Sequence, residues 1–305
     1  MRAAFYRRFG SLDDLEVGEL DEPKLGPDWV RVRVEAAAVN PVDWKILLGR
    51  LAPMIYATFP VVPGWDVAGT VEEVGPAVTR FAPGDPVFGY ARLDFVHVGT
   101  FAEITCVPER VLARRDGIDA ATAAAIPLAG LTAYQALTER LTVAAGERLL
   151  VAAGAGGVGS FAIQIARILG ADVLATGSAA SATAISDLGA EPIDRTVALA
   201  EALGGRRIDK ALDLVGADWS REALAILADP SRLASVADPS VRALGGHYVF
   251  VRPDPDGLDT LAGWVREGRL TVPIAERFEL RDVRQAFELS MGGHTRGKIV
   301  IDVDA

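Results

Sequence analysis

The sequence predicts an α/β chain of two unlike parts, a compact barrel-like β domain and a doubly wound parallel sheet with helices on both faces. Three observations carry this. Short alternating or apolar runs separated by turn residues fill the first third of the chain. From Arg148 the pattern changes to strand, helix, strand, helix, and after Gly268 the β character returns. The tail is therefore expected to fold back onto the first domain and make it discontinuous.

Trp29 to Val34 reads Trp-Val-Arg-Val-Arg-Val, the alternation of a half-buried strand. Val67–Val74 and Pro86–Tyr90 are further short apolar runs, punctuated by Pro60, Pro63, Gly64, Gly75-Pro76 and Pro83-Gly84. Composition shifts near Asp119, where Ala120–Ala125 is alanine-rich and Leu131–Leu141 has helical spacing. Strands are predicted at Arg148–Ala153, Asp172–Thr176, Asp209–Val215, Arg232–Val236 and Tyr248–Val251. Helices are predicted between them at Ser160–Leu169, Ala179–Leu188, Val197–Leu203 and Ser220–Leu227, with one more at Leu258–Glu267. The tail reads as strand Leu270–Ala275, helix Arg281–Leu289 and strand Lys298–Val303. The expected domains are residues 1–119 with 271–305, and 120–270.

With 305 residues the chain has room for a substantial core. Net charge is −10, and no basic cluster exceeds Arg114-Arg115 or Arg206-Arg207, so nucleic acid is not an expected partner. Cys106 is the only cysteine and cannot form an internal disulfide, which fits a reducing compartment. The N-terminus breaks into charge too early for a signal peptide, and no uncharged apolar run approaches the ~20 residues of a membrane helix. The reading is a cytoplasmic protein without a membrane partner.

The sharpest motif is Gly154-Ala155-Gly156-Gly157-Val158-Gly159, a G-x-G-x-x-G placed directly after a predicted strand and opening a predicted helix. That context is what a Rossmann dinucleotide site requires. Glycine allows the tight turn and the close approach of backbone to a pyrophosphate, while the helix N-terminus faces the anion. Cofactor choice is read about twenty residues on, where a carboxylate would bind a ribose 2′-hydroxyl. Here the chain reads Ala175-Thr176-Gly177-Ser178-Ala179. Gly177 and Ser178 leave room for a 2′-phosphate that nothing repels, so NADPH is preferred over NADH, although no base precedes Arg195.

Several further motifs then fall into one order. They are Asn40-Pro41-Val42-Asp43, Pro63-Gly64-Trp65-Asp66-Val67-Ala68-Gly69, Gly84-Asp85-Pro86-Val87-Phe88-Gly89, Pro127-Leu128-Ala129-Gly130-Leu131-Thr132-Ala133-Tyr134, Asp213-Leu214-Val215-Gly216 and Arg296-Gly297-Lys298-Ile299-Val300. Together with the glycine fingerprint they resemble the zinc-free quinone oxidoreductase (zeta-crystallin-like) branch of the medium-chain dehydrogenase/reductase superfamily, over nearly the whole chain. The resemblance implies a GroES-like β-barrel substrate domain beside the Rossmann domain. It also implies NADPH-dependent reduction of a quinone or of the activated C=C of an enone or enal, in a homodimer that uses Tyr248–Val251 as its edge strand. By the same resemblance Thr132 meets the nicotinamide ribose, Val215, Gly216, Phe250, Val251 and Arg252 line the nicotinamide pocket, and Lys298 joins the cofactor set. Two other readings remain open: a trans-2-enoyl-thioester reductase, and a non-enzymatic, crystallin-like NADPH binder.

Zinc needs three or four ligands at fixed geometry. Asn40 to Asp43 stand where the zinc-dependent relatives have a ligand cysteine, and Trp65 stands where they have a histidine. With one cysteine and the scattered His97, His247 and His294, no zinc site is expected. The acceptor must then be polarised by hydrogen bonds. Asn40, Lys45 and Tyr56 offer donors, and Asp43 orients or pairs with Lys45. Each has a plainer reading: Asn40 as a turn residue before Pro41, Lys45 as a solvated helix charge, Tyr56 as packing.

Overall fold

Along the strand Trp29–Val39, Val30, Val32 and Val34 are fully buried, while Arg31 and Arg33 between them pair with Glu73 and Glu72. This is the period-two alternation read from the sequence. The computed structural model describes residues 1–303, which divide into two compact units. The first holds residues 1–128, 252–267 and the chain from 274 onward; the second holds 129–251 and 268–273. These limits differ from the expected 119/120 and 270/271. The helix Ala120–Ala124 packs on the strands Trp29–Val39 and Asp66–Val74, and the helix Pro255–Arg266 packs on Leu112–Arg114. A change of composition marked a change of secondary structure, whereas packing partners set the unit.

The first unit is built on a seven-stranded sheet. Its order is Ile274–Glu279, Lys298–Asp302, Trp29–Val39, Asp66–Val74, Pro86–Tyr90 and Leu112–Arg114, with Ile104–Pro108 also pairing on Trp29–Val39. The tail strand runs antiparallel to Trp29–Val39, with Ile299 opposite Val39. The strand expected at Leu270–Ala275 begins instead at Ile274, just after Pro273, which has no N–H to give a ladder.

The second unit is a six-stranded, wholly parallel sheet. Its strands and the two helices the site uses are, in chain order, β1 (Arg148–Val151), α1 (Gly157–Ile168), β2 (Asp172–Gly177), β3 (Glu191–Asp194), β4 (Lys210–Asp213), α2 (Asp218–Ile226), β5 (Leu233–Ser235) and β6 (His247–Tyr248), with shorter helices Ala182–Asp187 and Leu199–Leu203 on either side of β3. The sheet order is β3-β2-β1-β4-β5-β6. The chain moves outward from β1 in one direction and then returns to continue from β4 in the other, so the strand order reverses between β1 and β4. In open α/β sheets that reversal is where ligands bind, outside the carboxyl ends of the strands. Leu150, Leu174, Ile193, Ala211 and Leu233, one from each of β1 to β5, lie in a single buried cluster. Each fully buried Leu or Ile contributes roughly 1.5–3 kcal/mol to holding those strand ends in register. β3 is absent from the sequence reading because it is four residues long and contains Pro192, a residue that a sheet accepts at its edge, where β3 lies. Among the described residues no helix is long and apolar enough to cross a membrane.

Candidate active site

Where β1 ends, the chain turns through Ala153, whose φ of 49° lies in the left-handed region. That conformation costs a non-glycine residue on the order of 1 kcal/mol, and such strain concentrates at ligand sites. Gly154 and Gly159 then pack hard on their surroundings. A Cβ on Gly159 would lie 2.4 Å from the Ala153 carbonyl oxygen, and one on Gly154 would lie 2.5 Å from the Ala175 methyl. Gly156 differs: its Cβ would meet only the Ala153 oxygen, at 3.3 Å. Gly156 is also the N-cap of α1 and brings no side chain to cap it. The first-turn N–H groups of Gly157, Val158 and Gly159 therefore have no intrahelical acceptor and sit at the positive end of a twelve-residue helix. Bare backbone donors, an open Gly156 and glycines that let α1 press against β1 fit the diphosphate of a dinucleotide.

At the end of the neighbouring β2, Gly177 packs on Ile185 and Ser181, and the Ser178 hydroxyl donates to Ser181 Oγ at 3.3 Å. Gly177 pairs in register with Asp194 of β3, and the Arg195 N–H donates to the Gly177 carbonyl at 2.9 Å. Arg195 is exposed, and its guanidinium enters no ion pair among the described residues. Pairing of β3 on β2 thus brings the backbone of Arg195, the first base after Ser178 in the sequence, beside Gly177. Only that pairing reveals it, and β3 was the strand the sequence concealed.

On the other side of the reversal, β4 ends in Asp213, and Val215 stands 59% exposed on the loop that follows. The N–H groups of Val215 and Gly216 both donate to Asp213 Oδ1 at 2.8 Å. Thr132 is buried in the helix Pro127–Gln135, Val251 is buried and Phe250 is exposed. Arg252 belongs to the first unit and lies 3.7 Å from Asp254.

The four expected catalytic residues and Lys298 separate into two groups. Asn40, Asp43 and Lys298 meet in a buried cluster of the first unit, none more than 4% exposed. Asn40 Nδ2 donates to Asp66 Oδ2 at 2.8 Å and to the Ala38 carbonyl at 3.3 Å, and its Oδ1 accepts from Lys298 Nζ at 2.5 Å. The amide is thereby fully engaged inside the protein. Asp43 accepts the Asn40 backbone N–H at 2.8 Å, and Asp66 Oδ1 accepts that of Leu128 at 2.8 Å. Burial pushes the Asp43 carboxyl up to about 8, against the pull of the Asn40 N–H. Burial also pushes Asp66 up and Lys298 down, each opposed by the other's charge. Lys298, expected in the cofactor set, instead bonds to Asn40, Asp66 and the Val39 carbonyl. Asp66, which the sequence reading quoted only within a motif, is the acceptor on which this cluster is built.

Lys45 and Tyr56 stand outside that cluster. Lys45 is half-buried with Nζ 5.5 Å from the Trp44 ring centroid, whereas the charges that act on Asp43 are those of Asp66 and Lys298. Burial first, then the charge of Arg50, holds its ammonium below the usual lysine range. Tyr56 is 83% exposed and pairs in register with Phe95 in a two-stranded ribbon, so it is not packed away.

Among the described residues no group of three His, Cys, Asp or Glu side chains is placed to hold a metal. The Lys298 ammonium lies 3.5 Å from Asp66 Oδ2 and bonds to Asn40 Oδ1, so the buried oxygens of this cluster already face a cation of the chain's own. Cys106 is buried with its thiol pushed up to about 11 by burial. These residues do not fit a zinc ion, which needs three or four ligands at fixed geometry.

The family described as Alcohol dehydrogenase GroES-like domain matches residues 26–116, and the one described as Zinc-binding dehydrogenase matches residues 188–301. A quinone-oxidoreductase homolog of Spinacia oleracea chloroplasts is 32% identical, covering 99% of this chain and 98% of its own. An NADPH-dependent alkenal/one oxidoreductase of Arabidopsis thaliana chloroplasts is 33% identical, covering 99% of this chain and 79% of its own. The solved structure of the quinone oxidoreductase from Coxiella burnetii is 29% identical and superposes with a TM-score of 0.90 over 99% of both chains. With its glycine cradle at the strand reversal and relatives matched end to end, the chain belongs to the medium-chain dehydrogenase/reductase superfamily, in its quinone oxidoreductase branch.

Proposed function

We propose that this chain is an NADPH-dependent reductase of quinones or of the activated C=C of α,β-unsaturated carbonyls. The observation that carries the reading is the uncapped N-terminus of α1, opening beside the reversal between β1 and β4. Its N–H groups hold the diphosphate. Ser178 and Arg195 take the 2′-phosphate, the serine as a hydroxyl donor and the arginine through a charge-assisted pair. Bound in this way, the nicotinamide supplies a hydride. The protein's own part is to hold the acceptor's oxygen and deliver a proton: to the α-carbon of an enone, or to the oxygens of a quinone. Asn40 is ill suited to that task because its amide is engaged internally, and Asp43 is buried with Oδ2 holding the Asn40 N–H, so both shape the start of the helix Pro41–Leu47. Lys45 and Tyr56 keep donors available, and a lowered ammonium pKa eases proton release from Lys45. The names of the spinach and Arabidopsis relatives support this substrate class. A homodimer joined along Tyr248–Val251, where only Tyr248 lies in a strand, and a cytoplasmic setting, argued from the single cysteine, complete the proposal.

Oxidation of NADPH and NADH should be assayed against a panel of quinones, enones and enoyl thioesters. Quinones or enones are expected to turn over fastest, with NADPH favoured. In Arg195→Ala the KM for NADPH should rise about tenfold, the scale of one charge-assisted contact, while that for NADH stays put. Equal use of both nucleotides by the unaltered protein would overturn the NADPH assignment, and turnover of thioesters alone would overturn the substrate class.

A further inference from the structure

We infer that Asp213 is a positioning residue that sets the nicotinamide half of the site by shaping two loops at once. Its carboxylate is fully buried and accepts four hydrogen bonds. Oδ1 takes the N–H groups of Val215 and Gly216 at 2.8 Å each, and Oδ2 takes the hydroxyls of Ser220 at 2.5 Å and Ser235 at 2.7 Å. Ser235 passes the constraint onward, since its Oγ accepts the N–H groups of Ala237 at 3.2 Å and Asp238 at 2.9 Å. The loop after β4 and the loop after β5 therefore hang on one carboxylate. They also touch: a Cβ on Gly216 would lie 3.3 Å from the Ala237 methyl.

The loop so held is strained. Ala217 has φ 53° and ψ −120°, a region that glycine enters freely and alanine does not. Only a surrounding structure that over-determines the backbone keeps alanine there. What the strain maintains is Val215, an apolar side chain held 59% exposed just beyond the carboxyl end of β4. A dinucleotide laid across the reversal places its diphosphate at β1 and its 2′-substituted ribose toward β2, so its other half runs toward β4. The loop of Asp213 faces that half. This inference rests on the dinucleotide reading of the site and adds to it a residue that acts through the loop without touching the ligand.

The test measures affinity by calorimetry for NADPH and for 2′,5′-ADP, which lacks the nicotinamide half. In Asp213→Asn one oxygen is replaced by an amide that cannot accept, so at least one of the four donors loses its partner. NADPH affinity should fall about tenfold, the equivalent of one broken buried hydrogen bond to a charged group, while 2′,5′-ADP affinity stays within about twofold. Ala217→Gly guards against a variant that merely unfolds. It relieves the backbone strain, so its melting temperature should hold or rise while NADPH affinity falls and 2′,5′-ADP affinity does not. Equal losses for both ligands, or NADPH affinity unchanged in both variants, would overturn the role of Asp213. An unaltered protein that binds neither ligand would instead overturn the dinucleotide reading, and this inference with it.

Discussion

Gly156 and Gly159 lie three positions apart in the same turn and are constrained by different things. Gly159 has the Ala153 carbonyl oxygen where a side chain would begin, so Gly159→Ala forces α1 away from β1. Gly156 has φ −74°, which any residue adopts, and a single neighbour near its missing Cβ, the Ala153 carbonyl oxygen at 3.3 Å, which a small shift accommodates. Gly159→Ala is expected to lose about 1–3 kcal/mol of stability, the usual cost of overpacking. Gly156→Ala should keep the melting temperature of the unaltered protein and lose dinucleotide affinity, because its methyl projects where a diphosphate must approach. Differential scanning calorimetry paired with titration separates the two; a Gly156→Ala protein that binds normally would contradict the cradle. A second residue-scale expectation concerns pH. The Asp43 carboxyl is pushed up to about 8 in the folded chain, above an unfolded value of roughly 4. The folded state therefore holds the proton more tightly. The stability linked to Asp43 is complete below the unfolded value and is lost as pH rises through the folded one. Asp43→Asn should consequently gain on the unaltered protein in melting temperature between about pH 5 and about pH 8. A gap that does not change with pH would contradict this.

At the scale of elements, what was legible depended on whether a residue's role was local. Strands Pro86–Tyr90 and Lys298–Asp302, and the βα turn at Gly154–Gly159, announced themselves because a short apolar run or a glycine spacing is a property of neighbouring residues. β3 was hidden because an edge strand of four residues with a proline has no periodicity to read, and with it went the placement of Arg195 beside Gly177. The bonds of Lys298 were hidden for the same reason: its partners Asn40 and Asp66 are distant in sequence and meet only through the pairing of Lys298–Asp302 and Asp66–Val74 on Trp29–Val39. Gln164 is another example. On α1 it reads as an ordinary polar helix residue. Yet Oε1 accepts the Thr271 N–H at 2.8 Å and its hydroxyl at 3.0 Å, while Nε2 donates to the Thr271 carbonyl at 2.9 Å. It acts as a short strand, binding residues 268–273 to α1 within the second unit. Gln164→Leu leaves that backbone unpaired and should cost about 2 kcal/mol, the penalty for stranding a buried donor and acceptor. Hydrogen exchange at Thr271 should accelerate well beyond the global change; uniform acceleration would show that Gln164 is not the clip.

For the whole molecule, composition set limits and geometry filled them. A net charge of −10 and a single cysteine argued against phosphate-backbone partners and disulfides, but neither points to a reaction. The reaction follows from two arrangements. One is the reversal between β1 and β4, which presents α1's free N–H groups with Arg195 on one side and the Asp213 loop on the other. The other is the interior of the first unit, where the Lys298 ammonium, the Asn40 amide and the Asp66 carboxyl bond to one another beside Asp43, and no set of zinc ligands is found among the described residues. Hydride transfer from a dinucleotide to an acceptor held by hydrogen bonds is the chemistry these arrangements allow. The most direct measurement is calorimetric titration of the unaltered chain with NADPH. Saturable binding near one molecule per chain, abolished or strongly weakened by Gly156→Ala, is the expected result. A flat titration with NADPH and with NADH alike would contradict the assignment at its root.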